Sequence, residues 1–165
     1  MYQIKDNFLS PSEFEEVKDI LEGDIISWYN NKETVKGRKQ HVPLLTHTFF
    51  DIKPPWNGPS SQHFPLMKAF VERLKIYPEN LYRIKANLQF KTIFHRNTGY
   101  HYDDVPEGKI ALFYVNTNNG YTKIKKVGKI NCIANRLVIF DSSLEHAGFT
   151  CTNEDTRVVI NFNYS

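Results

Sequence analysis

The spacing of apolar residues predicts two helices in the first half of the chain. Ser10-Pro11-Ser12-Glu13 is typical of a helix start with a capping box and a proline in the first turn, and apolar residues between 14 and 21 then recur on one helical face until Gly23. A second stripe at helical spacing runs from about His63 or Phe64 to Ile76. Because each stripe is one-sided, we expect both helices to flank a hydrophobic core.

The period of the pattern changes to two after residue 80. In residues 84–90 apolar and polar side chains alternate, which predicts a strand with one apolar face. Further short strands are predicted at residues 109–116, 123–133, 137–140 and 157–163. Between the first two of these, Asn118-Asn119-Gly120 predicts a hairpin turn. Several short strands at this spacing are typical of a sandwich or jelly roll.

Residues 30–62 show no sustained period of either kind. Polar residues and the turn-forming residues 54–59 dominate, and residues 42–50 give only a hint of a strand. A loop of this length in a small domain is usually functional or mobile. We therefore interpret the segment as a lid over a pocket or as a disordered excursion.

Composition and length favour one cytoplasmic domain. A chain of 165 residues can bury a core without disulfides, and the two cysteines, Cys132 and Cys151, have neither C-x-x-C nor zinc-ligand spacing. We expect no secretory leader and no membrane span, because neither apolar pattern occurs. Residues 1–80 are then helical support with the lid, and residues 81–165 are the core of a single domain.

The charge pattern does not point to a nucleic-acid partner. The net charge is +3, and the densest basic cluster is in residues 123–129. We interpret this cluster as the solvated edge of a strand rather than as a phosphate-binding patch.

Candidate metal ligands occur at His101 and Asp103, which form the only His-x-Asp pair in the chain. On a strand, residues two apart point the same way, with Cα atoms roughly 6–7 Å apart. The best third ligand is His146, shortly after the apolar run at residues 137–140. Two imidazoles and one carboxylate on a triangular face are the ligand set of non-heme Fe(II) oxygenases.

A candidate anion-binding residue begins the last predicted strand. Alternation places Arg157 on the face opposite Val158 and Ile160, so it points inward if those residues face the helices. An inward guanidinium is costly unless paired, and its planar fork suits a carboxylate of the protein or of a cosubstrate. In residues 109–116 the same alternation allows Tyr114 to offer its hydroxyl to that anion.

The order His101-x-Asp103, His146, Arg157 resembles the iron(II)/2-oxoglutarate-dependent oxygenases, in particular their prolyl-4-hydroxylase-like branch. The resemblance extends over residues 84–164. It implies a mainly β (α+β) fold, a double-stranded β-helix or jelly roll with flanking N-terminal helices. It also implies that His101, Asp103 and His146 bind Fe(II).

The same resemblance implies the cofactor chemistry and further site residues. 2-Oxoglutarate would chelate the iron and pair its distal carboxylate with Arg157, with Tyr114 and Asn87 as additional contacts and O2 as the other cosubstrate. Ascorbate could support turnover. The implied reaction hydroxylates a prolyl or other residue in a peptide or protein and releases succinate and CO2, with no catalytic residue beyond the metal ligands.

Other functions use parts of the same pattern. An oxygenase of this fold could act on a small metabolite or a nucleobase, and a jelly-roll module could bind metal without catalysis. A cupin would be expected to have a His-x-His pair, which this chain lacks. A zinc hydrolase could use the same ligands but would not account for Arg157. The sequence does not indicate an oligomeric state.

Overall fold

The computed structural model describes residues 2–31, 42–105 and 107–165 of the protein. Over these residues the helices are α1 (Pro11–Glu22) and α2 (Lys68–Leu74), and single 3₁₀ turns occur at Phe64–Met67 and Pro78–Asn80. The strands are β1 (Tyr2–Lys5), β2 (Tyr29–Asn30), β3 (Leu44–Asp51), β4 (Gly58–Pro59), β5 (Leu81–Phe90), β6 (Lys109–Tyr114), β7 (Tyr121–Ile124), β8 (Gly128–Asn131), β9 (Arg136–Asp141), β10 (His146–Phe149) and β11 (Thr156–Tyr164).

The described strands form two antiparallel sheets. The larger sheet has the order β1-β9-β6-β11-β5-β3-β2, with β4 paired to β3, and the smaller sheet has the order β10-β7-β8. The segment before β6 joins the smaller sheet through two isolated bridges, from Asn97 to Phe149 and from His101 to His146. This mainly β architecture with two flanking helices confirms the predicted jelly roll.

The helix α1 begins as its sequence predicts. The backbone N–H of Ser10 donates to Oε2 of Glu13 over 2.8 Å, and the N–H of Glu13 donates to Oγ of Ser10 over 3.5 Å, which completes a capping box. The helix ends before Gly23. In the second helical region a 3₁₀ turn precedes α2, and Lys75, which follows the last helical residue, has a left-handed φ of 54°.

Hydrophobic cores lie on both faces of the larger sheet. On the helix side, the ring of Phe70 in α2 lies 4.7 Å from that of Phe113 in β6 and 4.9 Å from that of Phe162 in β11. A second core lies between the two sheets. Its buried residues are Val105, Ile110, Leu112, Tyr114, Ile124, Ile130, Cys132, Val138, Phe140 and Val159. Alternate side chains of β6 and β11 therefore pack into two different hydrophobic cores, one on each face of the larger sheet.

The region 30–62 is not a loop throughout, so the loop prediction is wrong there, whereas the hint of a strand at residues 42–50 is confirmed. Residues 44–51 form β3, which pairs with β5 inside the larger sheet. The register shifts between Thr48 and Phe50, so Phe49 occupies an extra position and interrupts the alternation that would reveal a strand. The lid interpretation also covers residues 32–41, which lie outside the described residues.

The predicted hairpin at Asn118-Asn119-Gly120 is a crossing between sheets instead. This segment leads from β6 in the larger sheet to β7 in the smaller one. The hairpin lies further on, between β7 and β8, where Lys126 has a left-handed φ of 68°. The strand predicted at residues 123–133 is therefore divided by a turn that apolar spacing alone did not reveal.

In the described parts of the chain, no helix is both long enough and apolar enough to cross a membrane. Cys132 and Cys151 are buried free thiols.

Candidate metal centre and its cavity

Three potential metal ligands meet beside the smaller sheet. The backbone N–H groups of His101 and His146 each donate to the carbonyl oxygen of the other over 3.0 Å, and their rings lie 4.6 Å apart. Asp103 follows His101 in a segment that is bridged to β10 without forming a regular strand. One ligand atom from each of these three residues lies within 4.8 Å of the others.

The hydrogen bonds of both imidazoles leave one nitrogen free for a metal. Nδ1 of His101 lies 3.0 Å from the carbonyl oxygen of Gly99, and Nδ1 of His146 lies 3.3 Å from that of Leu144. Because a carbonyl oxygen only accepts, Nδ1 carries the proton in each ring and Nε2 keeps its lone pair. Each Nε2 lies 3.9 Å from a carboxylate oxygen of Asp103.

Neighbouring groups hold Asp103 in its charged form. Nη2 of Arg83 donates to Oδ1 over 3.2 Å, and Nδ2 of Asn161 donates to Oδ2 over 2.9 Å. Burial by itself would raise the pKa of Asp103, but His146, Arg83, Asn161 and His101 outweigh it and lower the pKa to about 2.

The pKa of His146 is lowered mainly by burial, with a further contribution from His101, although Asp103 acts in the opposite direction. A charged carboxylate beside a neutral imidazole is the combination that binds a divalent metal.

The three ligands open onto a cavity of about 380 Å³ between the sheets. Its size is within the range of small-molecule sites. The polar side of β5 forms much of the wall. The lining residues are Asn31, Leu44, Arg83, Lys85, Asn87, Gln89, Thr98, His101, Tyr102, Asp103, Asp104, Leu112, Thr122, His146, Gly148, Arg157, Val159 and Asn161.

Arg157 lies in this cavity and is only 4% exposed. Its Nε donates to Sγ of Cys132 over 3.0 Å, Nη1 to Oε1 of Gln89 over 2.9 Å, and Nη2 to Oγ1 of Thr122 over 2.9 Å. None of these partners is charged. Among the described residues no carboxylate lies within ion-pair distance of Arg157. Gly120 allows this packing, because a Cβ there would lie 2.9 Å from Cδ of Arg157.

No protein-family model and no curated protein matches the sequence, but solved structures match the fold. A prolyl hydroxylase from Trichoplax adhaerens, in complex with a peptide fragment of the hypoxia inducible factor oxygen degradation domain, has a TM-score of 0.70 at 15% identity and covers 99% of this chain and 82% of that chain. An oxidoreductase of the 2OG-Fe(II) oxygenase family from Burkholderia pseudomallei has a TM-score of 0.69 at 12% identity, with coverage of 99% and 84%.

The epimerase SnoN, in complex with Fe3+, alpha ketoglutarate and nogalamycin RO, has a TM-score of 0.62 at 11% identity, with coverage of 99% and 78%. The chain has the fold of the 2OG-Fe(II) oxygenases. Since these proteins include a hydroxylase and an epimerase, the oxygenase fold alone does not specify the reaction.

Within this oxygenase fold, Tyr114 does not line the cavity but contacts two residues that do, Thr122 and Arg157. Its hydroxyl donates to Oγ1 of Thr122 over 2.9 Å, and its ring centroid lies 5.7 Å from Cζ of Arg157. Burial raises the pKa of Tyr114 well above its ordinary value, and the nearby Cys132 adds to this effect. Tyr114 therefore supports Thr122 and Arg157 from behind. We expected its hydroxyl to reach the anion itself.

Asn87 lies on the cavity wall at the middle of β5. Its Oδ1 is buried and has no hydrogen-bond partner among the described residues. The side chain thus offers an unpaired acceptor at the cavity wall, and its contact with 2-oxoglutarate stays a prediction.

Several cavity residues of this oxygenase fold were not predicted. Arg83, Lys85 and Gln89 share the polar face of β5 with Asn87. The alternation in residues 84–90 was the signal that could have identified Lys85 and Gln89, because it assigned them to the face opposite the helices. Thr122 gave no such signal, since its role depends on a contact with Arg157, which is 35 residues away in sequence.

Proposed function

We propose that the protein is an Fe(II)- and 2-oxoglutarate-dependent dioxygenase that hydroxylates a prolyl or other residue in a peptide or protein. The observation that carries this proposal is the buried Arg157, which has no anionic partner among the described residues and shares a cavity with His101, Asp103 and His146. A buried cation of this kind favours a negatively charged ligand. 2-Oxoglutarate carries a carboxylate at each end, so one end can bind the metal while the other pairs with Arg157.

The hydrogen-bonding capacity left around Arg157 supports a carboxylate at this position. Three of the five guanidinium N–H groups are used by described residues, which leaves two for a ligand. Nε2 of Gln89 is buried without an acceptor among the described residues, although Oε1 of the same side chain is bonded to Arg157. A carboxylate oxygen in the cavity would accept from both side chains.

The residues present therefore fit Fe(II) and 2-oxoglutarate. When bound, these cofactors and O2 supply the oxidising equivalents for hydroxylation, and succinate and CO2 are released. His101, Asp103 and His146 would hold the metal on one face and leave the opposite positions open. Arg157 and Gln89 would orient the oxoacid, and the apolar Leu112 and Val159 in the wall restrict water.

A peptide substrate is supported by the Trichoplax prolyl hydroxylase, which was solved with a peptide. A small-molecule substrate is the second candidate, favoured by the concave cavity of about 380 Å³ and by SnoN with nogalamycin RO. We also propose that the protein acts in the cytoplasm, because both of its cysteines are buried free thiols. The mild net charge does not support a nucleic-acid partner.

Succinate formation from 2-oxoglutarate, with Fe(II), ascorbate and air, tests the proposal directly. Turnover is expected in the unaltered protein, and His146→Ala should reduce it to background. Arg157→Ala should turn over 2-oxoglutarate only when the 2-oxoglutarate concentration is high. His63→Ala and Arg73→Ala are matched controls outside the cavity and should retain activity.

An anaerobic titration covers the case in which O2 activation requires the substrate. The Fe(II) complex of 2-oxoglutarate has a visible charge-transfer band, and we expect this band with the unaltered protein but not with His146→Ala. Absence of both the band and succinate would refute the oxygenase proposal and favour a metal-binding jelly-roll module.

A further inference from the structure

Lys85 is a cation on the cavity wall that the proposed reaction does not use. It lies on β5, opposite Asn161 of β11 on one side and Thr48 of β3 on the other. It makes no hydrogen bond or ion pair with any residue in 2–31, 42–105 or 107–165. Burial and the nearby Arg83 lower the pKa of Lys85 to about 8, although Asp103 and Asp51 act in the opposite direction, so the side chain is still largely protonated at neutral pH.

The other charged groups of the cavity have partners. Arg83 pairs with Asp103 over 3.2 Å, and Asp104 pairs with Lys53 over 2.6 Å. Of the charged side chains described on the cavity wall, Lys85 and Arg157 remain without a charged partner within 4.0 Å. The site thus has two separate positions that favour an anion.

These two positions are separated along the sheet. Arg157 is opposite Gln89, and Lys85 precedes Gln89 by four residues, or about 13 Å along an extended strand. Asn161, the partner of Lys85 on β11, holds Asp103. Lys85 is therefore on the side of the metal ligands, away from the position proposed for the distal carboxylate of 2-oxoglutarate.

We propose that Lys85 binds a carboxylate of the substrate, so that the protein acts on an acidic molecule. The carboxylate could belong to a free organic acid or to an acidic residue near the reacting position of a peptide. This inference rests on the proposed function, because it assigns the metal to the three ligands and 2-oxoglutarate to Arg157.

The charge of the loaded cavity agrees with this assignment. A divalent metal and doubly charged 2-oxoglutarate together add no net charge, so the excess of cationic groups persists after both have bound. An ammonium group without a direct partner in a partly dry cavity is unfavourable, and a substrate carboxylate would reduce that cost while fixing the orientation of the substrate.

Calorimetric titration of the protein loaded with Zn(II) and 2-oxoglutarate tests the inference without turnover. The probes are N-acetylglutamate and its uncharged counterpart N-acetylglutamine, together with the capped peptides Ala-Glu-Ala and Ala-Gln-Ala. We expect at least one acidic probe to bind about tenfold more tightly than its amide, which is the scale of a hydrogen bond to a charged group. Preference within the free pair or within the peptide pair distinguishes the two sources of the carboxylate.

Variants of Lys85 assign the preference to its charge. Lys85→Met should weaken binding of the acidic probe about tenfold and leave the amide unchanged, whereas Lys85→Arg should keep the preference. Lys123→Met, at an exposed position of β7, is the matched control and should behave as the unaltered protein does. Thermal melting of each variant checks that it is folded.

Equal binding of acid and amide, no saturable binding of any probe, or an unchanged preference in Lys85→Met would overturn the inference. Weaker 2-oxoglutarate binding in Lys85→Met, with the probe affinities unchanged, would also overturn it by placing the cosubstrate at Lys85. Failure of the proposed function is recognised separately, because the unaltered protein would then bind no 2-oxoglutarate. In that case the titration with the metal-loaded protein still compares acid with amide at Lys85.

Discussion

The two faces of β5 and β11 differ in the side chains that they carry. The face toward the helices carries the buried apolar side chains Ile84, Ala86, Leu88, Val158, Ile160 and Phe162. The face toward the smaller sheet carries Arg83, Lys85, Asn87, Gln89, Arg157 and Asn161, several with hydrogen-bonding atoms that no described residue satisfies. Within one pair of strands, stability is concentrated on one face and binding chemistry on the other.

This separation has a physical basis. Apolar burial stabilises a fold without requiring partners of defined geometry, whereas buried polar groups lower stability unless each is paired. The unpaired atoms around Arg157 and Lys85 therefore reduce stability in the free protein and become favourable when a ligand supplies the missing partners. Substitutions on the two faces should separate these effects.

The largest effect is expected on the helix side. Phe70→Ala removes a fully buried ring that contacts Phe113 and Phe162, and should lower the free energy of unfolding by about 3–5 kcal/mol in urea denaturation. Metal affinity measured in the folded protein should be unchanged. Lys68→Ala, exposed on the same helix, should change stability by less than about 0.5 kcal/mol. A comparable loss of metal affinity in Phe70→Ala would contradict the separation of the faces.

The cavity side should show the opposite behaviour. Arg157→Met should weaken 2-oxoglutarate binding roughly 10- to 150-fold, because a charge-assisted contact is lost. Its free energy of unfolding should change by no more than about 2 kcal/mol, since removal of a buried charge offsets the lost hydrogen bonds to Gln89 and Thr122. Calorimetry and urea denaturation measure the two quantities. Destabilisation as large as that of Phe70→Ala would show that Arg157 is chiefly structural.

A pH dependence should follow from the burial of Lys85. The pKa is about 8 in the folded protein and about 10.5 when unfolded, so between these values the unfolded chain binds more protons and stability rises with pH. The gain should reach about 1–2 kcal/mol by pH 10 in metal-free protein, relative to Lys85→Met. Lys123→Met should retain the dependence. Parallel pH profiles for the unaltered protein and Lys85→Met would show that Lys85 is solvated.

The smallest effect is expected far from both faces of the strands. Ser10→Ala removes the side-chain cap of α1 and should cost about 1 kcal/mol of stability, measured in urea. Binding of 2-oxoglutarate should be unchanged because α1 does not line the cavity. A change in that affinity would indicate that the helix side influences the site.

Features decided within short segments could be predicted from sequence. The Ser10 capping box depends on residues three apart, and the alternation along β11 separates Arg157 from Val158 and Ile160 within a few positions. The combination of His101, Asp103 and His146 was recognisable because metal chemistry restricts the residue types that can serve together. These predictions required no knowledge of which distant segments meet.

Contacts between distant segments were decided only by the tertiary structure. A bulge near Phe49 weakened the sequence signal of β3, and the passage of residues 118–120 from one sheet to the other was indistinguishable from a hairpin. Thr122 and Gln89 became partners of Arg157 across separations of 35 and 68 residues. The sequence by itself determined the helix start and the strand faces, because local hydrogen bonding and alternation act over a few residues. It also determined the candidate ligands, because few residue types can bind a metal together. Which charges remain unpaired in the cavity depended on the packing of the two sheets, because pairing is a property of positions in space.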